Sequence, residues 1–337
     1  MRGTLKSSVL LSYLLEDIQD TPASRAEIAG FLANSEGRPC PESLWLKRMD
    51  HWWSENPAAG AHPARGCGLR HEGALVGFMA CIPSQMAWQG APVPALFPVS
   101  WRVAAEHRSA SLPMLVRMRT LGRQATLLDT SPRKDVQVML DKLGFRSVTE
   151  RSGLVFVLGS VLGRLFGRGR AFPSLTSGRH VVTDVNAVTS IARPFMQPDR
   201  LENWTTPEFL RWRVNAPLFK LRFLGCIDKA GMLTSYLIFA GHEIKKRPAW
   251  LVVDWFTTEP GIDEVLALLG ELSRQPALLG ESRRLVEAAV FEPERSLWEQ
   301  APWLLNLTRP ATYCYMTPPA LSSSTKRCVL ADGDYGM

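Results

Sequence analysis

No two cysteines in this sequence are spaced as CxxC. The six present (Cys40, Cys67, Cys81, Cys226, Cys314 and Cys328) are scattered along 337 residues. The six histidines, His51, His62, His71, His107, His180 and His242, are equally dispersed. That leaves no ligand spacing for structural zinc and no disulfide framework, so no metal is expected and the thiols read as reduced. Long apolar runs are also missing. The run over 153–163 is stopped by Arg164 and falls well short of the about 20 residues a membrane helix needs. The shorter run over 8–15 is followed at once by Glu16 and Asp17, which does not suit a cleaved leader. A cytoplasmic protein without a membrane span is the resulting expectation. Blocks of like charge are lacking as well. The net charge of +7 is spread out, with a local concentration only at Arg164, Arg168 and Arg170. With no aromatic-interleaved basic motif, a nucleic-acid partner is not expected, although a basic surface suits an anionic co-substrate.

What is present is ordinary globular composition, 46% hydrophobic and 21% charged, in a chain longer than one core usually organises. Ser24-Arg-Ala-Glu27 has the form of a capping box, so a first helix is predicted there. Alternating stretches over 67–70, 74–88 and 93–103, broken at His71-Glu-Gly73 and Gln89-Gly90, predict a three-stranded meander. A helix from Pro113, a strand over 125–129, a helix through Val136, Met139, Leu140 and Leu143, and a strand from Phe145 follow. Residues 159–180, rich in glycine and arginine, read as a linker. The second half repeats the order: a turn at Asp228-Lys-Ala-Gly231, a strand over 251–256, a helical face at Ile262, Val265, Leu266 and Leu269, and a strand over 285–291. A helix over 298–305 and a strand over 312–316 close it. The prediction is an α/β chain, an α+β mixed sheet in each of two domains, 1–158 and 181–337, joined by the linker 159–180.

The stretch over 99–145 carries a resemblance. VAAEHRSASLPML from Val103, followed by LLDTSPRKDVQVMLDKLGF from Leu127, resembles the strand, phosphate loop, helix, strand and helix core of the GNAT acyltransferase superfamily. The second half repeats that order of elements, which suggests two tandem GNAT-like acyl-CoA N-acyltransferase domains. The resemblance implies acetyl-CoA or another acyl-CoA as co-substrate. It places the donor along Val99, Ser100, Trp101 and Val103, whose main-chain N–H groups would polarise the thioester carbonyl. Arg108, Ser109, Ala110, Ser111 and Leu112 would meet the pyrophosphate, and Ser131 stands near the position of a common family asparagine. Ser111 and Pro113 replace the small residues usual in the loop. Leu140 occupies the place of a tyrosine that often protonates the departing thiolate.

The implied chemistry is attack by an amine, less readily a hydroxyl, on the thioester. It needs a base and an oxyanion donor. Glu106, His107, Asp129 and Asp254 are the candidate bases. Asp254 draws notice because it lies on an apolar strand, where a carboxylate must be hydrogen-bonded or neutral. Trp212 and Arg213 are candidates for the acceptor site, a place for a small-molecule, saccharide or amino-acid amine. Asp332 and Asp334 join them in a terminal segment resembling the tails of tandem GNAT proteins. Two other readings stay open: a Fem-type transferase using aminoacyl-tRNA, and a non-catalytic ligand-binding relative.

Overall fold

The computed structural model describes residues 13–35, 40–130, 132, 134–158, 172–192, 199–292 and 294–326. Ser131, Asp332, Asp334, Arg164, Arg168, Arg170 and most of the expected linker lie outside them. The chain folds into two compact units. One comprises 1–85, 93–129 and 315–322, and the other 86–92, 130–314 and 323–337.

The first unit carries five neighbouring strands in the order β1 (Tyr13–Asp17), β2 (Gly66–His71), β3 (Ala74–Trp88), β4 (Ala91–Val103) and β5 (Thr126–Asp129). The β2–β3 hairpin turns at Glu72 and Gly73, and the β3–β4 hairpin at Gln89 and Gly90. Both residues of each turn have positive φ. That is the type I′ pattern, which matches the twist of the strands it joins. Helix α1 (Pro22–Asn34) starts earlier than the capping-box reading placed it. Thr21 is the cap and accepts from the Ser24 N–H, while Pro22 takes the first helical position, where its missing N–H costs nothing. Helix α2 (Glu42–Met49) runs into a π-helical turn, Asp50–Ser54, which buries Trp52 and Trp53. The Asn56 amide ties this segment to the sheet by donating to the Trp52 and Pro83 carbonyls. Helix α3 (Leu112–Leu121) puts Met114, Leu115 and Met118 into the core, the side of the helix that the 3.6-residue period brings together.

Burial also sets a pH dependence in this unit. Desolvation holds the His51 imidazole below its ordinary value of 6.5, against an opposing pull from Glu55, and His62 is lowered mainly by burial too. A histidine kept neutral in the fold stabilises above its unfolded pKa. That contribution drains away as pH falls from about 6.5 toward the depressed folded value. Melting temperature is therefore expected to drop between pH 7 and pH 5, and His51→Gln to flatten the drop. An unchanged slope in the variant would show that His51 does not contribute.

In the second unit α4 (Lys134–Lys142) leads into β6 (Arg146–Val157), which pairs antiparallel with β13 (Leu285–Val290). The sequence-based division put this strand in the first domain. Pairing partners are chosen by sheet edges, which hydrophobic periodicity does not encode. From β6 the order runs through β13, β12 (Arg247–Thr257), β11 (Met232–Ile244) and β10 (Arg222–Ile227) to β7 (His180–Val182). Strand β8 (Ser190–Ile191) pairs with β11, and β9 (Arg200–Asn203) pairs parallel with a two-residue strand, Thr325–Lys326. Helix α5 (Pro207–Val214) is capped by Thr206. Helix α6 (Asp263–Arg274) packs Val265, Leu268, Leu269 and Leu272 against the sheet. The helix expected over 298–305 is a single turn, α7 (Arg295–Trp298), and Leu305 already begins the next strand, Leu305–Met316.

Among the described residues no helix is long and apolar enough to cross a membrane. No cluster of His, Cys, Asp or Glu among them is arranged to hold a metal.

Candidate active site

Strands β4 and β5 run parallel, yet their register joins only Ala95 to Thr126 and Leu96 to Leu127. Past Leu96, β4 continues for seven residues without β5 beside it. A strand stripped of its neighbour keeps main-chain donors and acceptors that the ladder no longer uses. The free part of β4 is bent as well. Ser100 has φ 53, a left-handed conformation unfavourable for a residue with a Cβ and concentrated at functional positions. Phe97 and Val99 are buried on this segment, Trp101 and Val103 half-buried, and Arg102 exposed. Asp129 stands at the far end of β5, two residues beyond the last paired position, at the open end of the gap.

After β4 the chain does not form the open loop that the resemblance implies. Ala105–Ala110 closes on itself as a 3-10 helix. The His107 N–H donates to the Ala104 carbonyl, Ser111 to Arg108, and Met114 to Ser111. Pro113 has no N–H to offer. The main-chain cradle expected over 108–112 is therefore partly engaged within the chain. What faces an anion here is the positive end of α3, which has no acidic residue in its first turn, with the exposed Arg108 just before it. Ser109 is exposed, Ala110 half-buried, and Leu112 stands out as an exposed apolar residue.

Of the four candidate bases, the structure brings only Asp129 to the gap. His107 turns the other way: its Nδ1 lies 2.9 Å from Tyr13 Oη, and its ring is 4.9 Å from that of His71. Tyr13 and His71 belong to β1 and β2, on the opposite side of β4 from β5. Glu106 is exposed, 3.8 Å from His107 Nε2. It lines a groove of about 610 Å³ bounded by Glu27, Phe31 and Asn34 of α1 and by Arg102 and Arg108. Glu27 is held by Arg70 at 2.7 Å through both carboxylate oxygens, which lowers its pKa. Sequence reasoning missed this groove because α1 and the end of β4 are about 70 residues apart, and no motif links them.

Asp254, Trp212 and Arg213 come together, but inside the second unit. Arg213 Nη1 donates to Asp254 Oδ2 at 2.7 Å, the Tyr236 hydroxyl donates to the same oxygen at 3.2 Å, and the Trp255 N–H donates to Oδ1 at 2.8 Å. All three candidates are buried, and Arg213 stacks over the Phe209 ring at 4.8 Å. Of the two outcomes open to a carboxylate on an apolar strand, the hydrogen-bonded one is realised. Its four lone-pair positions are largely spoken for, which leaves poor access for a substrate proton.

The second unit repeats the diverging geometry. Strands β12 and β13 pair in parallel from Ala249–Leu285 to Val252–Ala288 and then part, with a bulge at Val253 where the register shifts against β11. Beyond that point Trp255 and Trp298 are buried edge-to-face at 5.6 Å, in one cluster with Val290, Ile262 and Leu266. Asp263 and Glu264 open α6, which makes the electrostatics at that helix start unfavourable for an anion.

Neither a family model nor a curated protein matches the sequence. Solved structures do match along nearly the whole chain. A GCN5-related N-acetyltransferase from Anabaena variabilis superposes with a TM-score of 0.57 at 11% identity, covering 90% of this chain and 72% of that one. Eis1 from Mycobacterium abscessus gives 0.56 at 15% identity, over 93% and 76%. The fold is the tandem GNAT fold. A GCN5-related N-acetyltransferase from Kribbella flavida matches in the same way, at 0.53 and 13% identity over 91% and 72%. In this chain of tandem GNAT fold, the two parallel strand pairs that part beyond their first few residues are the repeated feature of the two units.

Proposed function

We propose that this protein transfers an acyl group from acyl-coenzyme A to an amine, with the donor held in the first unit. The observation that supports the reading best is the parting of β4 from β5 after only two paired positions. The opening offers main-chain hydrogen-bonding groups along Val99, Ser100 and Trp101 to an extended pantetheine arm. Arg108 and the positive end of α3 lie where its phosphates would follow. In the second unit, buried tryptophans follow the parting of β12 and β13 and α6 opens on acid, which favours the first unit as the donor site.

In the reaction the amine nitrogen forms its bond to the thioester carbon while the carbonyl electron pair moves onto oxygen, stabilised by main-chain N–H groups of β4. Collapse reforms the carbonyl and breaks the carbon–sulfur bond. The surplus amine proton passes to Asp129 at the mouth of the gap. The departing thiolate takes its proton from solvent.

The test is calorimetric titration with coenzyme A and acetyl-CoA, followed by thiol release from acetyl-CoA in the presence of a panel of amines. Binding with amine-dependent thiol release is the expected result. Binding without release from any amine would favour a non-catalytic relative. No binding by acyl-CoAs of any chain length would end the proposal.

A further inference from the structure

Trp101 sits on the free part of β4, directly after the left-handed Ser100. Its indole Nε1 is shut off from solvent and has no hydrogen-bond partner among the described residues. Buried donors without acceptors are rare in folded proteins, because desolvation is not compensated. Trp45, Trp52, Trp250 and Trp298 also bury an indole N–H without a partner, but these rings are at most 6% exposed and lie inside closed packing. There the unmade bond comes with fitting a large ring into a core. Trp101 is different. It is only half-buried, it lies past the last position at which β4 pairs with β5, and the backbone that presents it is held in an unfavourable conformation. A dry donor and a left-handed residue thus stand side by side on the stretch of β4 that has lost its neighbour.

We propose that the Trp101 indole N–H donates to the carbonyl oxygen of the bound acyl thioester, beside the main-chain donors of β4. The inference rests on the first unit being the donor site and goes beyond it by naming a side chain as catalytic. As the amine adds to the carbonyl carbon, negative charge gathers on that oxygen. A preorganised donor kept from water strengthens its bond most at that moment. The bond weakens again when the carbonyl reforms and the coenzyme A thiolate leaves. Free coenzyme A has no carbonyl at this position, so the indole distinguishes the loaded carrier from the spent one.

The test uses the full-length chain labelled with nitrogen-15. The Trp101 indole resonance is the one missing from the Trp101→Phe spectrum. It is expected to move downfield on titration with acetyl-CoA and to move little with free coenzyme A. In the same variant, kcat for thiol release is expected to fall about ten- to a hundred-fold with KM for acetyl-CoA within about two-fold, since an interaction made mainly in the transition state has been removed. An indole that responds equally to both ligands would place the donor on the pantetheine arm and overturn the proposal. So would a variant with unchanged kcat. If wild-type resonances elsewhere in the first unit respond to neither ligand, the donor-site reading fails first and this one falls with it. If they respond while the indole stays still, only this inference is lost.

Discussion

Replacing Arg213 with Met is expected to destabilise the second unit by about 3–5 kcal/mol, because it leaves the Asp254 carboxylate buried without its counter-charge. For a unit of this size that corresponds to a fall in melting temperature of roughly 6–20 °C. The double change Arg213→Met with Asp254→Leu is expected to recover most of the loss, since apolar pairs of similar volume often replace buried ion pairs at little cost. Urea unfolding followed by tryptophan fluorescence completes the cycle. The same experiment separates two tasks for Asp254. If it were the proton acceptor, Asp254→Asn would abolish turnover and leave stability nearly intact. The geometry predicts the reverse: a less stable chain whose remaining folded fraction still releases thiol. A single Arg213→Met change costing under about 1 kcal/mol would mean that the pair is solvated in solution.

The second large effect concerns the donor. Arg108→Glu is expected to weaken coenzyme A binding by two to three orders of magnitude, about 3–4 kcal/mol. It removes a charge-assisted bond to phosphate and sets a like charge against it. Wild-type protein at a hundredfold excess of coenzyme A over its Kd gains about 2.7 kcal/mol of stability, and the variant should show almost none of it. The control lies in the second unit. Asp263→Lys removes an acid from the start of α6, yet should leave affinity unchanged, because the donor is held in the first unit. An Arg108→Glu chain that keeps full affinity would move the phosphates away from α3. That outcome would also remove the electrostatic reason for choosing the first unit.

The sequence carried most of the local structure. Glycines marked the turns at His71–Gly73 and Gln89–Gly90, and the structure uses both, with paired positive φ. The turn between β11 and β12 was silent, because Lys245 and Lys246 adopt positive φ without the Gly or Asn that usually announces it. Strand β1 and helix α2 were missed for a related reason. β1 is short, with only five residues, and α2 passes directly into a π-turn that disrupts the 3.6-residue pattern.

The order of elements, the apolar face of α6 and the resemblance to an acyl-CoA fold were thus set by residue pattern alone, because periodicity and turn chemistry are local properties of the chain. Three matters were decided only in three dimensions: that β6 joins the second unit, that His107 turns toward β1 while Asp129 stays at the gap, and that Asp254 is locked to Arg213. Each depends on which distant segments meet, and an ion pair 41 positions apart or strand pairing 128 to 138 positions apart leaves no periodic trace in a single sequence.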